Sequence, residues 1–496
     1  MSSASDRGLA VRRTHRLRPD ASRTVTRLFV AGQEEVGGGE SRAADVIARV
    51  LALDEVDVER SVDDLLARFS ERHQRFADTL LDHAARVAHR VSPQVTLSTA
   101  RRLLLGATFT HEYSIEAAAL CNPSIVLHPD QRGVTEGAAR FVMSVRGVGE
   151  GHRSSIGFRT GQILLDGTVQ VDTPGSFPVA GVVGDSVLER AVIHGKLREL
   201  GDDGESTAFV LDLLGDQFSV AQLDRALDVL HSELATRHTA DETIARLRAV
   251  SASTYSARFA ADTEVSERVL WPAVAAEAHG MEDARFVRFV EDDGRVTYYA
   301  TYTAFDGIHV GQHLLETSDF EAFALSPMVG AAAANKGLAL FPRRIGGRFF
   351  ALSRSDRETN SIASSDNIRR WDHAALCQEP SGPWDFIQLG NCGSPIETDA
   401  GWLVLTHGVG AMRTYSIGAL LLDIDDPTIV LGSLREPLLA PSPDEQDGYV
   451  PNVVYSCGAM AHGNTLVVPY GIADASIGIA TVALDALLDR LRLDGV

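Results

Sequence analysis

The sequence is poor in cysteine and has no long apolar run. Its four cysteines, Cys121, Cys377, Cys392 and Cys457, show no metal-ligand spacing among 496 residues and are too few for a disulfide scaffold. Residues 1–28 lack the apolar core of a secretory signal. No apolar run approaches the roughly 18–20 residues that span a bilayer. These absences predict a protein of the reducing cytoplasm without a membrane partner.

The sequence also has fewer basic than acidic residues: 46 Lys and Arg against 67 Asp and Glu, which gives a net charge of −21. This balance argues against nucleic acid as a partner. The chain lacks a Walker loop, His-Glu-x-x-His, Cys-x-x-Cys and Gly-x-Ser-x-Gly, and the glycine-rich residues 147–151 are explained by a tight loop. We therefore expect neither a cofactor nor a metal ion.

The chain does contain a short sequence pattern, or phrase, that occurs five times. It consists of a glycine, several strand-forming residues, and a polar residue nearby. The anchor glycines are Gly137, Gly294, Gly347, Gly401 and Gly463, and the last four are 53, 54 and 62 residues apart. Periods of this size, with several short strands per unit, are typical of β-propellers. The repeats predict a mainly β fold, a five-bladed β-propeller.

Two helical blocks interrupt this pattern. Apolar residues follow helical spacing over residues 41–91 and again over 186–259. We predict an N-terminal tail and helical extension over residues 1–97, followed by a propeller catalytic domain over residues 98–496. The second block is interpreted as an insertion between blades, at about residues 183–262. Two shorter predictions are a buried strand at residues 103–109 and a final helix at 484–493.

The stretch 282–306 predicts a hairpin, in which Gly294 turns one strand into the next and Asp283 stands near Arg285 at its mouth. On this stretch alone, a surface aspartate that caps a turn is the simpler interpretation of Asp283. Repetition elsewhere favours a functional one.

Polar residues accompany all five phrases at matching points: Arg146, Asp283, Arg354, His407 and Asp474. If the inner strands line one channel, these side chains converge on it. Carboxylates there could act on sugar hydroxyls. Arg354, His407 and the additional Lys336 could bind an anion as a set of cations, because an arginine fork matches phosphate. A capped turn, a solvated lysine and a satisfied histidine are the structural alternatives.

Several motifs spread along residues 100–480 form an ordered set. They are residues 122–124, Arg146, residues 282–285, residues 335–342, Arg354, residues 393–408, residues 421–427 and residues 470–474. Together they resemble glycoside hydrolase family 130, the β-mannoside phosphorylases and related β-mannosidases. The resemblance implies a five-bladed propeller and an inverting attack of inorganic phosphate on a β-manno-oligosaccharide, which releases α-mannose 1-phosphate.

The resemblance also implies roles for individual residues. Asp283 resembles the general acid, which is proposed to act through the mannose 3-hydroxyl. The positions that resemble phosphate ligands are Lys336, Arg354, His407 and Tyr415. Those that resemble mannose-binding residues are Asn122, Arg146, Asn335 and Asp474. Phosphate is itself the nucleophile, so a phosphorylase needs cations rather than the second carboxylate of an inverting hydrolase.

Three positions depart from the family pattern. Ala284 replaces a usual proline, Gly337 a frequent aspartate, and Gln388 a lysine that often binds phosphate. The last change keeps a β-mannosidase open as an alternative, with Glu150 or Glu397 as the base. A non-catalytic sugar-binding propeller is the third interpretation.

The two helical blocks offer apolar faces that a second subunit could cover, so we predict a homo-oligomer built through residues 41–91 or 186–259. Analytical ultracentrifugation at micromolar concentration measures this directly. A monomeric sedimentation coefficient would contradict it.

Overall fold

A computed structural model describes residues 8–30, 42–232 and 240–495. The protein is mainly β with helices, and its chain forms two compact units. One unit comprises residues 20–117 and 175–179, and the other contains the remaining described residues. The predicted boundary at residue 97 falls inside the first of these units. Parts of the predicted tail and helical extension, residues 1–7 and 31–41, lie outside the described residues.

The strands of the first half are β1 (Ala10–Leu17), β2 (Thr24–Leu28), β3 (Thr110–Ser114), β4 (Ala119–Leu127), β5 (Ala139–Val148), β6 (Ser154–Ile163), β7 (Val169–Val171), β8 (Val179–Ala180), β9 (Val182–Asp185), β10 (Leu188–Glu189), β11 (Gln217–Phe218), β12 (Tyr255–Arg258) and β13 (Arg268–Leu270). Those of the second half are β14 (Gly280–Val290), β15 (Val296–Phe305), β16 (Val310–Thr317), β17 (Ala322–Pro327), β18 (Ala339–Leu340), β19 (Phe349–Ser353), β20 (Asn360–Ser365), β21 (Ala374–Gln378), β22 (Gln388–Asn391), β23 (Ile396–Thr398), β24 (Gly401–Val409), β25 (Tyr415–Leu422), β26 (Val430–Ser433), β27 (Val454–Tyr455), β28 (Met460–His462), β29 (Thr465–Ile472) and β30 (Ser476–Ala483).

The α-helices of the described residues fall into the predicted blocks and the C-terminus, except for α4, which lies between the blocks. They are α1 (Arg42–Ala52), α2 (Glu55–Phe69), α3 (Phe76–Val87), α4 (Thr99–Thr108), α5 (Arg190–Glu199), α6 (Glu205–Asp212), α7 (Val220–Ser232), α8 (Ala240–Ala252) and α9 (Leu484–Asp494). In the described ranges, no helix is long and apolar enough to cross a membrane.

The smaller unit contains α1 to α4 and the antiparallel strand pair β2–β3. Its fourth helix corrects the strand predicted at residues 103–109. Ser98 caps that helix by accepting a hydrogen bond from the Arg101 amide at 3.0 Å. A short apolar run fits a buried helix as well as a strand, and packing against α3 decided between them here.

The larger unit is built from mainly antiparallel sheets, with one parallel pairing between β6 and β14. A 12-stranded sheet has the order β4-β5-β6-β14-β15-β16-β17-β12-β9, with β7, β8 and β13 attached. A four-stranded sheet contains β18 to β21, and a five-stranded one runs β22-β24-β25-β26 with β23 on β24. The last sheet, β1-β30-β29-β27 with β28, pairs the first strand of the chain with its last.

Each repeated phrase lies on a strand of this unit, namely β5, β15, β19, β24 and β29. The anchor glycines precede or open these strands and all have positive φ, between 55° at Gly463 and 132° at Gly401. Such backbone conformations disfavour residues with a side chain. The repetition seen in the sequence is therefore a repetition of turns that require glycine.

The chain leaves the large sheet before helices α5 to α8 and rejoins it after them, on two neighbouring strands. β9 precedes α5, β12 follows α8, and the two strands pair antiparallel, with β12 also pairing β17. The helices bury their own apolar cluster, which includes Ile193, Leu197 and Leu247. The insertion is thus a small packed layer attached through two adjacent strands. Residues 233–239 within the predicted insertion lie outside the described residues.

A close approach between α3 and α4 leads to a prediction about stability. A methyl group placed on Gly106 would lie 1.8 Å from the Leu80 carbonyl oxygen, so Gly106→Ala must push the two helices apart. We expect a loss of about 3 kcal/mol or more in the free energy of unfolding. Urea unfolding followed by far-UV circular dichroism, with hydrogen exchange of α3 and α4, measures it.

Gly8→Ala is the matched control, because a methyl group there meets nothing within 4 Å. Equal stability of the two variants would contradict the close packing of α3 on α4.

Candidate active site

Two bulged strands bring Asn122 and Asp283 together. Between Cys121 and Ser124, β4 has one residue more than its partner β5, and β14 has one more than β15 between Glu282 and Arg285. Bulges re-aim side chains and are frequent beside active sites. The amide of Asn122 donates a hydrogen bond to the Asp283 carboxylate.

Left-handed backbone marks four of the predicted site residues. The φ angles are 47° at Asn122, 55° at Asp283, 76° at Asn335 and 48° at Asp474. This conformation is uncommon for residues other than glycine and costs free energy that the surrounding structure must offset. Strain of this kind clusters at ligand sites, so its coincidence with the predicted sugar-facing residues supports a functional interpretation.

A network of charges surrounds Asp283. Arg146 Nη2 lies 2.6 Å from Glu282 Oε1, and its Nη1 lies 3.4 Å from Asp283 Oδ1. Lys336 Nζ contacts the other Glu282 oxygen at 2.8 Å. Glu282 therefore bridges Arg146, a predicted mannose-binding residue, and Lys336, a predicted phosphate-binding residue. The sequence analysis gave Glu282 itself no role. Adjacent side chains on a strand face opposite ways, and only the bulge brings Glu282 and Asp283 to one cluster.

A second guanidinium, that of Arg285, fixes the backbone of this cluster. It is 1% exposed and donates hydrogen bonds to the Asp283 carbonyl at 2.8 Å, the Cys392 carbonyl at 3.0 Å and the Tyr455 hydroxyl at 2.7 Å. A buried charge needs such partners. Arg285 thus joins three segments that are far apart in the chain.

The Arg354 guanidinium is held by a histidine. Arg354 Nη1 lies 3.0 Å from His407 Nε2, and His407 Nδ1 lies 3.2 Å from the Asn391 carbonyl oxygen. Because arginine only donates, Nε2 accepts and Nδ1–H donates to the carbonyl. The imidazole is therefore neutral.

The electrostatics agree with this tautomer. Burial lowers the pKa of His407 well below its usual range, and the positive charges of Arg354 and Arg285 lower it further. The prediction of a positive charge on His407 is thus wrong, since a fully buried imidazole beside two guanidinium groups does not hold a proton. Its contribution is to orient Arg354.

Tyr415 and Tyr455 enclose His407. The Tyr415 ring stacks on the imidazole with centroids 6.1 Å apart, and the Tyr455 ring meets it edge-on at 4.9 Å. Both tyrosines surround the Arg354–His407 pair with apolar ring surface. Tyr415 was predicted as part of the site, whereas Tyr455 was not.

The two predicted carboxylates have opposite pKa shifts. Burial raises the pKa of Asp283, but the charges of Arg146, Lys336 and Arg285 and the bond from Asn122 outweigh it and lower this pKa to about 2. Burial raises the pKa of Asp474 to about 6, although the charge of Arg146 opposes the shift. Asp283 is therefore ionised in the unliganded protein at neutral pH.

The charges of Asp283 and Glu282 act on Asp474, and those of Asp283 and Arg354 act on His407. Direct contacts join Arg146 to Asp283 and Arg354 to His407, whereas the convergence of all five polar strand ends on one channel stays a prediction. Asn335 and Lys336 join them from the segment before β18.

Buried polar atoms without a hydrogen-bond partner are concentrated here. Among the described residues they include Asn122 Oδ1, Arg354 Nε and both side-chain polar atoms of Asn391. Such atoms are costly to bury and call for a specific explanation. Polar ligands with hydroxyl or oxyanion groups would supply it.

Glycines shape the space around Arg354. A methyl group on Gly390 would lie 2.3 Å from Arg354 Cδ and 2.6 Å from His407 Cε1. Gln388 stands two residues before Gly390 on β22 and so faces the same side of the sheet. The departure noted at Gln388 therefore lies on the side of the strand that meets Arg354.

The carboxylates considered for hydrolysis lie in different surroundings. Glu397 forms a 2.7 Å ion pair with Arg343 and lines a separate groove with Ile125 and Met460. Glu150 is exposed in the turn after β5. In the part of the chain that the structure describes, no group of three or more His, Cys, Asp or Glu residues is placed to hold a metal ion.

Three contributors escaped the sequence analysis: Glu282, Asn391 and Tyr455. Glu282 stands beside Asp283 in a motif already singled out, so its position was the available signal. Arg285 was named only as a cation near Asp283. Asn391 and Tyr455 lie on short strands, β22 and β27, with no motif of their own. Only the three-dimensional arrangement brings them to the site.

Comparison with known proteins adds to this geometry. A model of glycoside hydrolase family 130, described as beta-1,4-mannooligosaccharide phosphorylase, matches residues 239–493. The match includes all the predicted site residues except Asn122 and Arg146.

Two curated relatives match similar shares of the chain. The beta-1,2-mannobiose phosphorylase of Listeria innocua is 34% identical over 232 residues, which are 45% of this chain and 64% of the relative. The 1,2-beta-oligomannan phosphorylase of a Thermoanaerobacter species is 35% identical over 216 residues, 42% of this chain and 70% of the relative. The chain thus spans 64% of the length of the Listeria relative.

Among solved structures, a Listeria innocua beta-1,2-mannobiose phosphorylase in complex with beta-1,2-mannobiose aligns with 77% of this chain and 93% of its own. The sequence identity is 24% and the TM-score is 0.45.

The raised pKa of Asp474 predicts a pH-dependent stability. The unfolded chain loses this proton near the ordinary value of 3.8, whereas the folded protein keeps it to about pH 6. Folding stability therefore falls as the pH rises through this window, by roughly 2–3 kcal/mol from this group. Asp474→Asn should remove that loss, which urea unfolding at about pH 4 and about pH 7 would measure.

Asp293→Asn, an exposed aspartate in the turn of the β14–β15 hairpin, serves as control. The prediction fails if Asp474→Asn keeps the pH dependence of the wild type.

Proposed function

This chain belongs to glycoside hydrolase family 130, and on that premise we propose that it is an inverting β-mannoside phosphorylase. Its substrates are a β-manno-oligosaccharide and inorganic phosphate, and its products are α-mannose 1-phosphate and a shortened acceptor. The observation that carries the proposal is a chain of contacts from Asp283 to Arg354. Arg285 bonds the Asp283 carbonyl and the Tyr455 hydroxyl. The Tyr455 ring packs on His407, and His407 bonds Arg354.

The fold proposed for this activity is a five-bladed β-propeller. Support comes from the five glycine-anchored strands and from the pairing of β1 with β30. A first strand that completes the sheet of the last one is a means of closing a ring of blades. Closure would also explain why polar strand ends from different sheets meet around Asp283.

Asp283 is proposed as the general acid, with Asn122, Arg146, Asn335 and Asp474 around the mannose. Asn122 and Arg146 already bond the Asp283 carboxylate. The unpartnered Asn122 Oδ1 is suited to accept a bond from a sugar hydroxyl.

Phosphate is proposed to bind Arg354 and Lys336, with Tyr415 beside them. Arg354 Nε is a buried donor without a partner in the described structure, and neutral His407 orients the guanidinium. A preoriented fork suits a tetrahedral oxyanion. His407 therefore contributes to phosphate binding through Arg354 rather than through a charge of its own.

In the proposed step, a phosphate oxygen forms a bond to the anomeric carbon of mannose while the bond from that carbon to the glycosidic oxygen breaks. The leaving oxygen receives the proton of the mannose 3-hydroxyl, and Asp283 replaces that proton. No separate base is needed, because phosphate is already a nucleophile. No cofactor or metal takes part in this proposal.

The proton of Asp283 requires an explanation, since its pKa is lowered to about 2 in the unliganded protein. A phosphate dianion beside Lys336 and Arg354 would offset the positive charges that favour the ionised form. Bound phosphate thus raises the pKa of Asp283, and the acid becomes available once both substrates are in place.

Hydrolysis is the second candidate function. It is favoured by the neutral state of His407 and by Gln388 at the face of β22 that meets Arg354, because both leave fewer cations for phosphate. A β-mannosidase would transfer the sugar to water and would release free mannose.

We also propose a cytoplasmic location and a homo-oligomer. The four cysteines are free thiols, as a reducing compartment would keep them. Large apolar side chains are exposed on both helical blocks, among them Val56, Leu200 and Leu213. A second subunit is a natural partner for such surfaces.

The test is to incubate the protein with β-1,2- and β-1,4-linked manno-oligosaccharides, with and without phosphate. We expect mannose 1-phosphate only when phosphate is present. Asp283→Asn should lower this rate by about 10²–10⁴-fold, the usual contribution of general acid–base catalysis. Asp293→Asn, at the far end of the same hairpin, is the matched control. Chromatography of the products with a phosphate assay measures both effects.

Equal release of free mannose with and without phosphate would replace the proposal by hydrolysis. Binding of mannosides without turnover in either direction would identify a sugar-binding protein instead. The synthetic direction, α-mannose 1-phosphate with a panel of acceptors, resolves the acceptor by the release of phosphate.

A further inference from the structure

A cavity of about 900 Å³ lies between the inserted helix α5 and the larger sheet. Its other side is formed by the start of β16, by residues 328–331 and 333–335, and by Arg370, Asp372 and His373. This volume is within the range of small-molecule sites. Helix α5 (Arg190–Glu199) is outside residues 239–493, so a segment beyond the family match forms one wall.

The cavity borders the candidate active site at one residue, Asn335. Asn335 is one of its lining residues, and the next residue, Lys336, bonds Glu282 beside Asp283. A chain of sugar residues that is cleaved beside Asp283 could therefore continue from Asn335 into this space.

Helix α5 is held firmly against the other wall. Gly195 lets the helix approach Val329, since a methyl group at Gly195 would lie 2.8 Å from the Val329 side chain. The Glu199 carboxylate accepts a hydrogen bond from the Gly330 amide at 2.8 Å. The wall is thus preformed, which limits the entropy lost on binding.

The lining is polar and balanced in charge. Three cationic and three anionic side chains contribute to it: Lys196, Arg198, Arg370, Glu199, Asp203 and Asp372. Such a mixture offers both donors and acceptors without a net charge. It suits an uncharged ligand rich in hydroxyl groups better than a phosphorylated or acidic sugar.

A buried amide adds an independent sign of unmet hydrogen bonding. Gln312 lines the cavity, is 2% exposed, and donates a bond to the Tyr302 carbonyl at 2.9 Å. Its Oε1 has no hydrogen-bond partner among the described residues. A hydroxyl donor that reaches the cavity floor would satisfy it after a small rotation of the amide.

We propose that this cavity binds the leaving-group side of a neutral manno-oligosaccharide longer than a disaccharide, with α5 as the wall that selects chain length. The inference rests on the proposed function for the identity of the sugar. It goes beyond that function by assigning a specificity role to the insertion.

The experiment measures binding rather than turnover. Isothermal titration of the Asp283→Asn variant uses mannose disaccharides and tetrasaccharides of both β-1,2 and β-1,4 linkage. We expect the tetrasaccharide of one linkage to bind about tenfold more tightly than its disaccharide. Adding His194→Ala and Arg198→Ala, which remove two exposed cavity side chains of α5, should reduce that ratio to about twofold.

Arg225→Ala, an exposed arginine of α7 that is not a lining residue of this cavity, is the matched control. An unaltered ratio in the double variant would overturn the inference, as would the absence of tetrasaccharide binding or tighter binding of a phosphorylated acceptor. The proposed function is judged separately, by phosphate-dependent release of mannose 1-phosphate in the wild type.

Discussion

The candidate site depends on the hydrogen bonds that the buried Arg285 guanidinium donates. It binds the Asp283 carbonyl, the Cys392 carbonyl and the Tyr455 hydroxyl, so one side chain sets the positions of β14, the segment after β22, and β27. Its desolvation is offset only while all three acceptors are in place. The bulge that turns Asp283 toward Asn122 is held by the same contacts.

Charge compensation follows from this arrangement. The Glu282 carboxylate forms ion pairs with both Arg146 and Lys336, and His407 stays neutral beside Arg354. Even so, the four cations Arg146, Arg285, Arg354 and Lys336 outnumber the carboxylates of Glu282, Asp283 and Asp474, so the unliganded cluster keeps an excess of positive charge. A dianion that enters must compete with Glu282 for Lys336, whereas Arg354 has a donor still unpaired within the described structure. This difference explains why the guanidinium, rather than the ammonium, is the stronger candidate for the first phosphate contact.

Much of the fold was predictable because it is repetitive. Glycines such as Gly294 and Gly401 occupy turns with positive φ, and only glycine adopts these without strain. The helical blocks were visible from their apolar spacing. The error at residues 103–109 had a physical cause, since a short apolar run has no periodicity long enough to separate a helix from a strand.

The sequence by itself determined the candidate acid, Asp283, the arginine and lysine residues around it, and the turns that shape the strands. Only the tertiary structure decided which side chains carry a charge and which of them are neighbours. His407 lost its charge through burial beside Arg354, and Glu282 joined the site through a bulge. The wall formed by α5 exists because Gly195 packs on Val329 across more than a hundred residues. Protonation and adjacency depend on which groups surround a side chain, and folding alone assembles those surroundings.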